Sequence, residues 1–103
     1  MKKMYHVTLE KCSAPYGNYD KIEEIPDIME IEATPEAIRE AIKSPSIQRM
    51  LQRHPITGID EHAKGIEKDM EYNQKWDWHS VCVKLTSSDG CDYILLFLDS
   101  DVF

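Results

Sequence analysis

The sequence is poor in the residues on which several chemistries depend. Its 103 residues include only four glycines and three cysteines, and no two cysteines form a CxxC pair. No glycine-rich phosphate loop, GxSxG or SxxK motif occurs, so the sequence gives no support for a nucleotide-binding loop or a serine hydrolase. The longest apolar run, YILLFL, is far shorter than the roughly 20 residues of a membrane-spanning helix.

Basic residues are also scarce. The sequence has twelve Lys and Arg and nineteen Asp and Glu, which gives a formal net charge of −7. Non-specific binding to nucleic acid depends on Lys and Arg that neutralise phosphates, so we expect no direct nucleic-acid binding. The stretch MKKMYHVTLEK turns polar too soon for a signal peptide. These features, with an odd number of thiols, predict a cytoplasmic protein that binds no membrane.

Alternation of apolar and polar residues predicts two strands in the first third of the chain. MYHVTLE places Tyr5, Val7 and Leu9 on one face, and DIMEIEA predicts a second strand whose apolar face includes Ile31. The segment KCSAPYGNYDK between them contains proline, glycine and asparagine, which indicate a loop.

Two short helices are predicted next by their N-terminal signals. Thr34-Pro35 and Ser44-Pro45 each place a capping hydroxyl before a proline suited to the first helical position. A proline disfavours a helical residue before it, so two helices are expected rather than one. A third helix, capped by Asp60, is predicted over EHAKGIEKDMEYNQK (residues 61–75), although its glycine weakens it by about 1 kcal/mol.

The segment HSVCVKLTSSDGCDYILLFLD predicts a β-hairpin, because Asp89-Gly90 is a preferred pair for a two-residue type I′ turn. That turn sets a register with six apolar residues on one face: Leu85 opposite Ile94, Val83 opposite Leu96, and Val81 opposite Leu98. It also separates Cys82 from Cys91 by about 20 Å, too far for a disulfide. Cys91 and His79 would lie about 30 Å apart, too far for a catalytic dyad.

The predicted order of elements is therefore β-β-α-α-α-β-β. We expect a single small globular domain over residues 1–103 with an α+β fold. Its antiparallel sheet would have about four strands and end in a C-terminal hairpin, with the short helices packed on one face.

Two histidines, His54 and His62, lie with Asp60 around the predicted bend between the second and third helices. They could supply metal ligands, or join Cys12 in a metal- or thiol-dependent enzyme. Their spacing is neither HxxxH nor HExxH, and a proline and a glycine intervene. Polar residues at helix ends explain the pattern better. We therefore predict no metal, cofactor or catalytic residue, and His54, Asp60 and His62 remain a weak alternative.

The distribution of charge supplies the candidate binding residues. The window 41–59 contains no acidic residue but holds Lys43, Arg49 and Arg53. Arg49 and Arg53 are four positions apart, so they would share an exposed ridge on the second helix. This ridge could contact an acidic partner or a phosphate, or it could pair with the acidic strand nearby. Trp76 and Trp78 are further candidates, either as interface or as core residues.

An acidic run is the counterpart of that window. Residues 23–40 hold seven Asp or Glu against one Arg. Such a face could imitate nucleic-acid phosphates and occupy a basic groove on another protein. We predict a non-enzymatic protein-binding or regulatory module with a protein partner of unknown identity. The alternatives are a small acidic inhibitor that mimics nucleic acid and a metal- or thiol-dependent enzyme.

Overall fold

A computed structural model describes residues 2–13, 18–60 and 80–100, which form six strands and two helices. The strands are β1 (Lys2–Ser13), β2 (Asn18–Glu24), β3 (Met29–Glu32), β4 (Ile56–Ile59), β5 (Ser80–Ser87) and β6 (Tyr93–Asp99). The helices are α1 (Pro35–Ile42) and α2 (Pro45–Gln52). The predicted α+β class is confirmed, but the sheet has six strands rather than about four. Within these ranges, neither helix has the length or apolar character needed to cross a membrane.

The strands pair antiparallel in the order β2-β1-β6-β5-β4, and β3 also pairs with β1. The long β1 uses its outer edge twice, because Lys2–Tyr5 pair with β3 and Thr8–Ser13 pair with β2. Between these two pairings, the Ile25 N–H donates to the Val7 carbonyl at 3.0 Å. The strands β2 and β3 thus occupy one edge of the sheet in succession, and β4 forms the other edge of the described part.

Alternation along the strands divides their side chains between two faces. The helix face, which α1 and α2 cover, carries nine side chains that are at most 3% exposed: Tyr5, Val7 and Leu9 of β1, Val81, Val83 and Leu85 of β5, and Tyr93, Leu95 and Phe97 of β6. The core also includes Ile38, Ile42, Ile47, Met50 and Leu51 of the helices, Ile31 of β3 and Ile25, which follows β2. Burying one such side chain contributes roughly 1.5–3 kcal/mol. The predicted apolar face of β1 is confirmed.

Each helix begins at its proline, as the sequence predicts. The Thr34 hydroxyl accepts a hydrogen bond from the Ala37 N–H at 3.2 Å. Such a cap stabilises a helix by about 1 kcal/mol. Ser44 occupies the N-cap position of α2, but its side chain makes no cap hydrogen bond. Instead, Gln48 Nε2 donates to the Ile42 carbonyl at 2.7 Å and ties the two helices together at their junction.

The predicted hairpin joins β5 to β6, but its predicted register is wrong by one residue. Val83 opposes Leu95 instead of Leu96, and Leu85 opposes Tyr93 instead of Ile94. The reversal is a three-residue loop, 88–90, rather than a two-residue turn. Such loops place a residue in the left-handed region at their end, and Gly90 takes that role with a φ of 76°.

The Asp89 carboxylate stabilises this longer reversal. One of its oxygens accepts from the Cys91 N–H at 2.9 Å, and the other accepts from the Tyr93 hydroxyl at 2.8 Å. The Cys91 N–H is the first cause that lowers the pKa of Asp89, to about 2, and Tyr93 adds to it. Burial, followed by the hydrogen bond to Asp89, raises the pKa of Tyr93 to about 12.

In the observed register, Cys82 and Cys91 are only slightly closer together than predicted. Cys91 now lies level with Ser87, five residue steps (87 − 82) from Cys82. At the usual rise per residue this is about 17 Å, still too far for a disulfide. No disulfide joins Cys12, Cys82 and Cys91. His79 lies outside the described residues, so its predicted separation from Cys91 stays a prediction.

Two strands lie where no strand is predicted. The strand β2 and the end of β1 occupy much of the predicted loop, and β4 occupies the predicted bend after His54. The Asp60 N–H donates to the Lys84 carbonyl at 2.9 Å, which extends the pairing of β4 with β5 by one residue. The predicted third helix over residues 61–75 lies outside the described residues, so the capping role of Asp60 stays a prediction.

Candidate functional site

A depression of about 410 Å³, here called the β4 groove, lies between the two helices and β4. Its floor is apolar and consists of Ile42, Leu51, Ile56, Ile59 and Leu85. Its polar lining consists of Arg39, Lys43, Gln48, Gln52 and Thr57. An apolar cavity of this size with a few polar groups at its rim is typical of binding sites in proteins.

The rim of the β4 groove is cationic. Lys43, the C-cap residue of α1, lies one helical turn beyond Arg39, and the described residues that line the groove include no Asp or Glu. Lys43, a predicted binding residue, forms an ion pair with Glu40 at 3.3 Å. Both side chains of that pair are more than 70% exposed. Solvent screening makes such a pair weak, so Lys43 can exchange Glu40 for an acidic group of a ligand at little cost.

The strand β4 contributes a sheet edge beside the groove. It pairs with β5 on one side, and the sheet ends at β4 among residues 2–13, 18–60 and 80–100. Thr57 Oγ1 and Thr86 Oγ1 lie 2.9 Å apart and add a side-chain contact to the β4–β5 pairing. A sheet edge presents backbone N–H and C=O groups that another extended chain can pair with.

The predicted ridge of Arg49 and Arg53 is exposed, but its two members differ. Arg53 Nε donates to Glu23 Oε1 at 2.7 Å, and a second guanidinium N–H contacts the same oxygen. The Arg49 side chain forms no hydrogen bond or ion pair within the part of the chain that the structure describes. Arg53 thus pairs with the acidic strand nearby, which is the second of the two predicted alternatives for the ridge. Of the two arginines, this leaves Arg49 to contact a partner.

Glu23 connects this ridge to His54. Its second carboxylate oxygen lies 2.5 Å from His54 Nε2, and both side chains are about one-quarter exposed. The hydrogen bond from Arg53 is the main cause that lowers the pKa of Glu23, burial opposes it, and His54 adds to the lowering. A general acid needs a raised pKa, so this cluster is suited to fastening α2 to β2 rather than to acid catalysis.

A smaller depression of about 240 Å³ lies beside Arg49. Glu24 and Asp27 line it together with Arg49 and Arg53. A phosphate bound to Arg49 at this place would meet two carboxylates of its own sign, which disfavours it. The predicted phosphate contact at Arg49 therefore gains no support from its surroundings.

The acidic run is largely compensated by nearby cations. Among the described residues, Glu23 pairs with Arg53, Glu24 with Lys21 at 3.1 Å, Glu30 with Lys2 at 3.7 Å, and Glu40 with Lys43. The seven residues are also distributed over β2, β3, α1 and the segment between the two strands. A mimic of nucleic acid needs an uncompensated row of charges, and these residues fit that role poorly.

The other predicted candidates do not converge in the described ranges. His54 contacts Glu23, Asp60 follows β4, and His62, Trp76 and Trp78 lie outside the described residues. Among residues 2–13, 18–60 and 80–100, no group of three or more His, Cys, Asp or Glu side chains is placed to hold a metal ion. Cys12, predicted in a loop, lies in β1 and pairs with Tyr19.

Comparison of the chain with protein-family models, with curated proteins and with solved structures finds no match. Function must therefore be argued from geometry alone. Sequence reasoning missed the β4 groove because the groove depends on β4, whose four residues, ITGI, include a glycine that indicated a turn. The acid-free window 41–59 was the available signal, since it covers most of the lining of the groove.

Proposed function

We propose that this chain is a non-enzymatic protein-binding module that holds an extended, acidic segment of a partner protein in the β4 groove. One observation carries the proposal. An apolar floor, a cationic rim and the edge of a sheet adjoin one another in the only sizeable acid-free window of a chain with a net charge of −7.

The extended form of the partner follows from the sheet edge. A segment that adds to β4 as a further strand gains main-chain hydrogen bonds, and pockets for alternate side chains give it specificity. Its side chains on the helix face would enter the groove. Apolar side chains would there contact Ile56 and Leu51, and acidic side chains would reach Lys43.

The acidic chemistry of the partner follows from charge complementarity. A second copy of this chain would bring its own Arg39 and Lys43 to the same place, and two chains of net charge −7 repel each other. An acidic segment of another protein brings no Arg or Lys of its own to the rim, and at the groove its negative charge is attracted rather than repelled. It also gives Lys43 a stronger, partly desolvated partner in place of the exposed Glu40.

The test is a selection of extended peptides against the full chain, followed by calorimetry with the selected sequences. We expect them to contain acidic and apolar residues and to shift the backbone amide signals of residues 56–59. Lys43→Glu should weaken binding about tenfold or more, because it places like charges together. A peptide with Lys in place of its acidic residue should bind Lys43→Glu better than the unaltered chain.

The matched control is Lys84→Glu, which makes the same charge change at an exposed position of β5 on the opposite face of the sheet. It should leave the affinity unchanged. Equal losses in both variants would show a response to net charge alone and would contradict the proposal. A selection that returns no acidic peptide, or amide shifts confined to other strands, would contradict it too.

A further inference from the structure

A separate depression of about 290 Å³ lies on the face of the sheet opposite the helix face, which we call the second face. It is lined by His6, Thr8, Glu10, Lys21, Glu24 and Leu98 and is here called the β1 depression. His6, Thr8 and Glu10 are alternate residues of β1, so all three side chains leave the sheet on the second face. Successive members of this row stand about 6.6 Å apart.

Thr8 is the unusual member of the row. Its side chain is 5% exposed, and its hydroxyl oxygen is buried without a hydrogen-bond partner in the described part of the chain. Buried hydroxyls in folded proteins are nearly always hydrogen-bonded, because an unpaired one destabilises the fold. Rotation of Thr8 between staggered rotamers exchanges the positions of its hydroxyl and methyl groups. Such a rotation can offer the hydroxyl to a ligand in the depression that Thr8 lines.

The charged residues around Thr8 favour a cation. Lys21 Nζ pairs with Glu24 at 3.1 Å. The side chains of His6 and Glu10 form no ion pair or hydrogen bond among residues 2–13, 18–60 and 80–100. Two glutamates and one lysine give the lining of the depression a formal charge of −1, with His6 left out of the count. Lys21 lies opposite Glu10 in the β1–β2 pairing, but its ammonium pairs with Glu24, so the Glu10 carboxylate has no ion-pair partner among the described residues and stands beside the unpaired Thr8 hydroxyl.

We propose that the β1 depression binds a small aliphatic ammonium compound, either a diamine or an amino alcohol. Its ammonium group donates to the Glu10 carboxylate, and its second polar group, one side-chain interval away, hydrogen-bonds the Thr8 hydroxyl. A metal ion is a poorer fit, because the described residues form no group of three metal-binding side chains here. The site is independent of the proposed peptide groove, which lies on the helix face.

The test is an NMR titration of the full chain with 1,4-diaminobutane, with 4-amino-1-butanol and with uncharged 1,4-butanediol. We expect saturable shifts at Thr8 and Glu10 with a dissociation constant of about 1 mM or lower for at least one amine. The tighter of the two amines identifies the second polar group as an ammonium or a hydroxyl. The diol should not bind, because it lacks the charge that Glu10 pairs with.

Two variants with one control locate the binding. Glu10→Gln should weaken it about tenfold, because a charge-assisted hydrogen bond is lost. Thr8→Val keeps the shape, and it should weaken binding about threefold to tenfold while Tm stays equal or rises. Glu30→Gln removes the same charge from β3, outside the depression, and should leave the affinity unchanged.

Several outcomes would overturn the site. These are the absence of saturable shifts with either amine, binding of the diol as tight as that of the amines, and equal losses in Glu10→Gln and Glu30→Gln. A Thr8→Val variant with raised Tm and undiminished affinity would also overturn it, because the hydroxyl would then be an unsatisfied group with no role in binding.

Discussion

The two faces of β6 are built from the same kinds of residue but have different surroundings. On the helix face, Tyr93, Leu95 and Phe97 are at most 2% exposed. On the second face, Ile94 is 9% exposed, whereas Leu96 and Leu98 are only half-buried and lie beside the polar row of β1, since Leu96 opposes Thr8 and Leu98 opposes His6. Residue type therefore does not decide which face of this strand becomes the core. The cover that α1 and α2 provide decides it.

Charged groups differ between the faces in the same way. On the helix face, Lys3 Nζ and Asp99 Oδ2 lie 3.2 Å apart, with side chains 10% and 4% exposed. On the second face, the Lys21–Glu24 pair is about half exposed. Water screens the attraction between two exposed charges, so an exposed ion pair contributes little to stability. Breaking a buried ion pair is costly, because the remaining charge stays buried and is not solvated. The helix face thus uses charge for stability, and the second face leaves charge accessible to ligands.

The largest expected effect on the free energy of unfolding comes from truncating a β6 side chain on the helix face. Phe97→Ala should lower the free energy of unfolding by about 3–5 kcal/mol, because Phe97 is fully buried. It would also lose the edge-to-face contact with Tyr5, whose ring centroid lies 6.1 Å away. Leu98→Ala, on the half-buried side, should lower it by only about 1 kcal/mol. Urea unfolding of both variants measures the difference. A larger loss of stability in Leu98→Ala would contradict the observed register and favour the one predicted from sequence.

The second prediction compares a buried ion pair with an exposed one. Asp99→Ala leaves the Lys3 ammonium buried and should lower the free energy of unfolding by about 3 kcal/mol. Glu30→Ala, which breaks the exposed Lys2–Glu30 pair, should change it by less than about 1 kcal/mol. The double variant Lys3→Met/Asp99→Leu should recover much of the loss. Equal losses from Asp99→Ala and Glu30→Ala would mean that the Lys3–Asp99 pair is not buried in solution.

The register of the hairpin shows what the sequence could not decide. Strand β6 is apolar at every position of YILLFL, so either register buries an apolar set and the pattern alone cannot choose. Asp89-Gly90 suggested the shorter turn. The observed loop is one residue longer and lets the Tyr93 hydroxyl reach Asp89. The face of β1 was predictable because its alternation is strict, and the starts of α1 and α2 were predictable from their capping signals.

The two edge strands were missed for different reasons. Strand β2 is almost entirely exposed and polar, so it lacks the alternation that indicates a strand, and only its pairing with β1 defines it. Strand β4 is short and contains Gly58, whose side-chain-free backbone suggested a turn. Both strands depend on partners distant in the chain. The β4 groove could therefore not be predicted from sequence, although Lys43, which lies at its rim, was predicted as a binding residue.

A third prediction compares two neighbouring glutamates on β2. Glu23 joins the helix α2 through Arg53 and the following His54, whereas Glu24 meets only Lys21 on its own strand. Glu23→Gln should therefore lower the free energy of unfolding by about 1 kcal/mol. Glu24→Gln should lower it by about half as much or less. Thermal unfolding at neutral pH measures both, and equal effects would mean that the contact between β2 and α2 adds nothing to stability.

The last prediction tests the turn that assigns the β6 side chains to their faces. The folded pKa of Asp89 is about 2, below the value of about 3.9 for an unperturbed aspartate. A lowered pKa means that the ionised carboxylate stabilises the folded state above about pH 4, and that this contribution is lost as the pH falls towards 2. In Asp89→Asn the amide oxygen still accepts from the Cys91 N–H but does not titrate.

The stability difference between the unaltered chain and Asp89→Asn should therefore be constant from about pH 7 to 4 and shrink between about pH 4 and 2. Subtracting the variant removes the contribution of every other carboxylate that titrates in the same range. Urea unfolding at each pH measures the difference. A difference that stays constant down to pH 2 would mean that Asp89 does not hold the three-residue loop. The loop would then no longer explain why Tyr93, Leu95 and Phe97 face the helices.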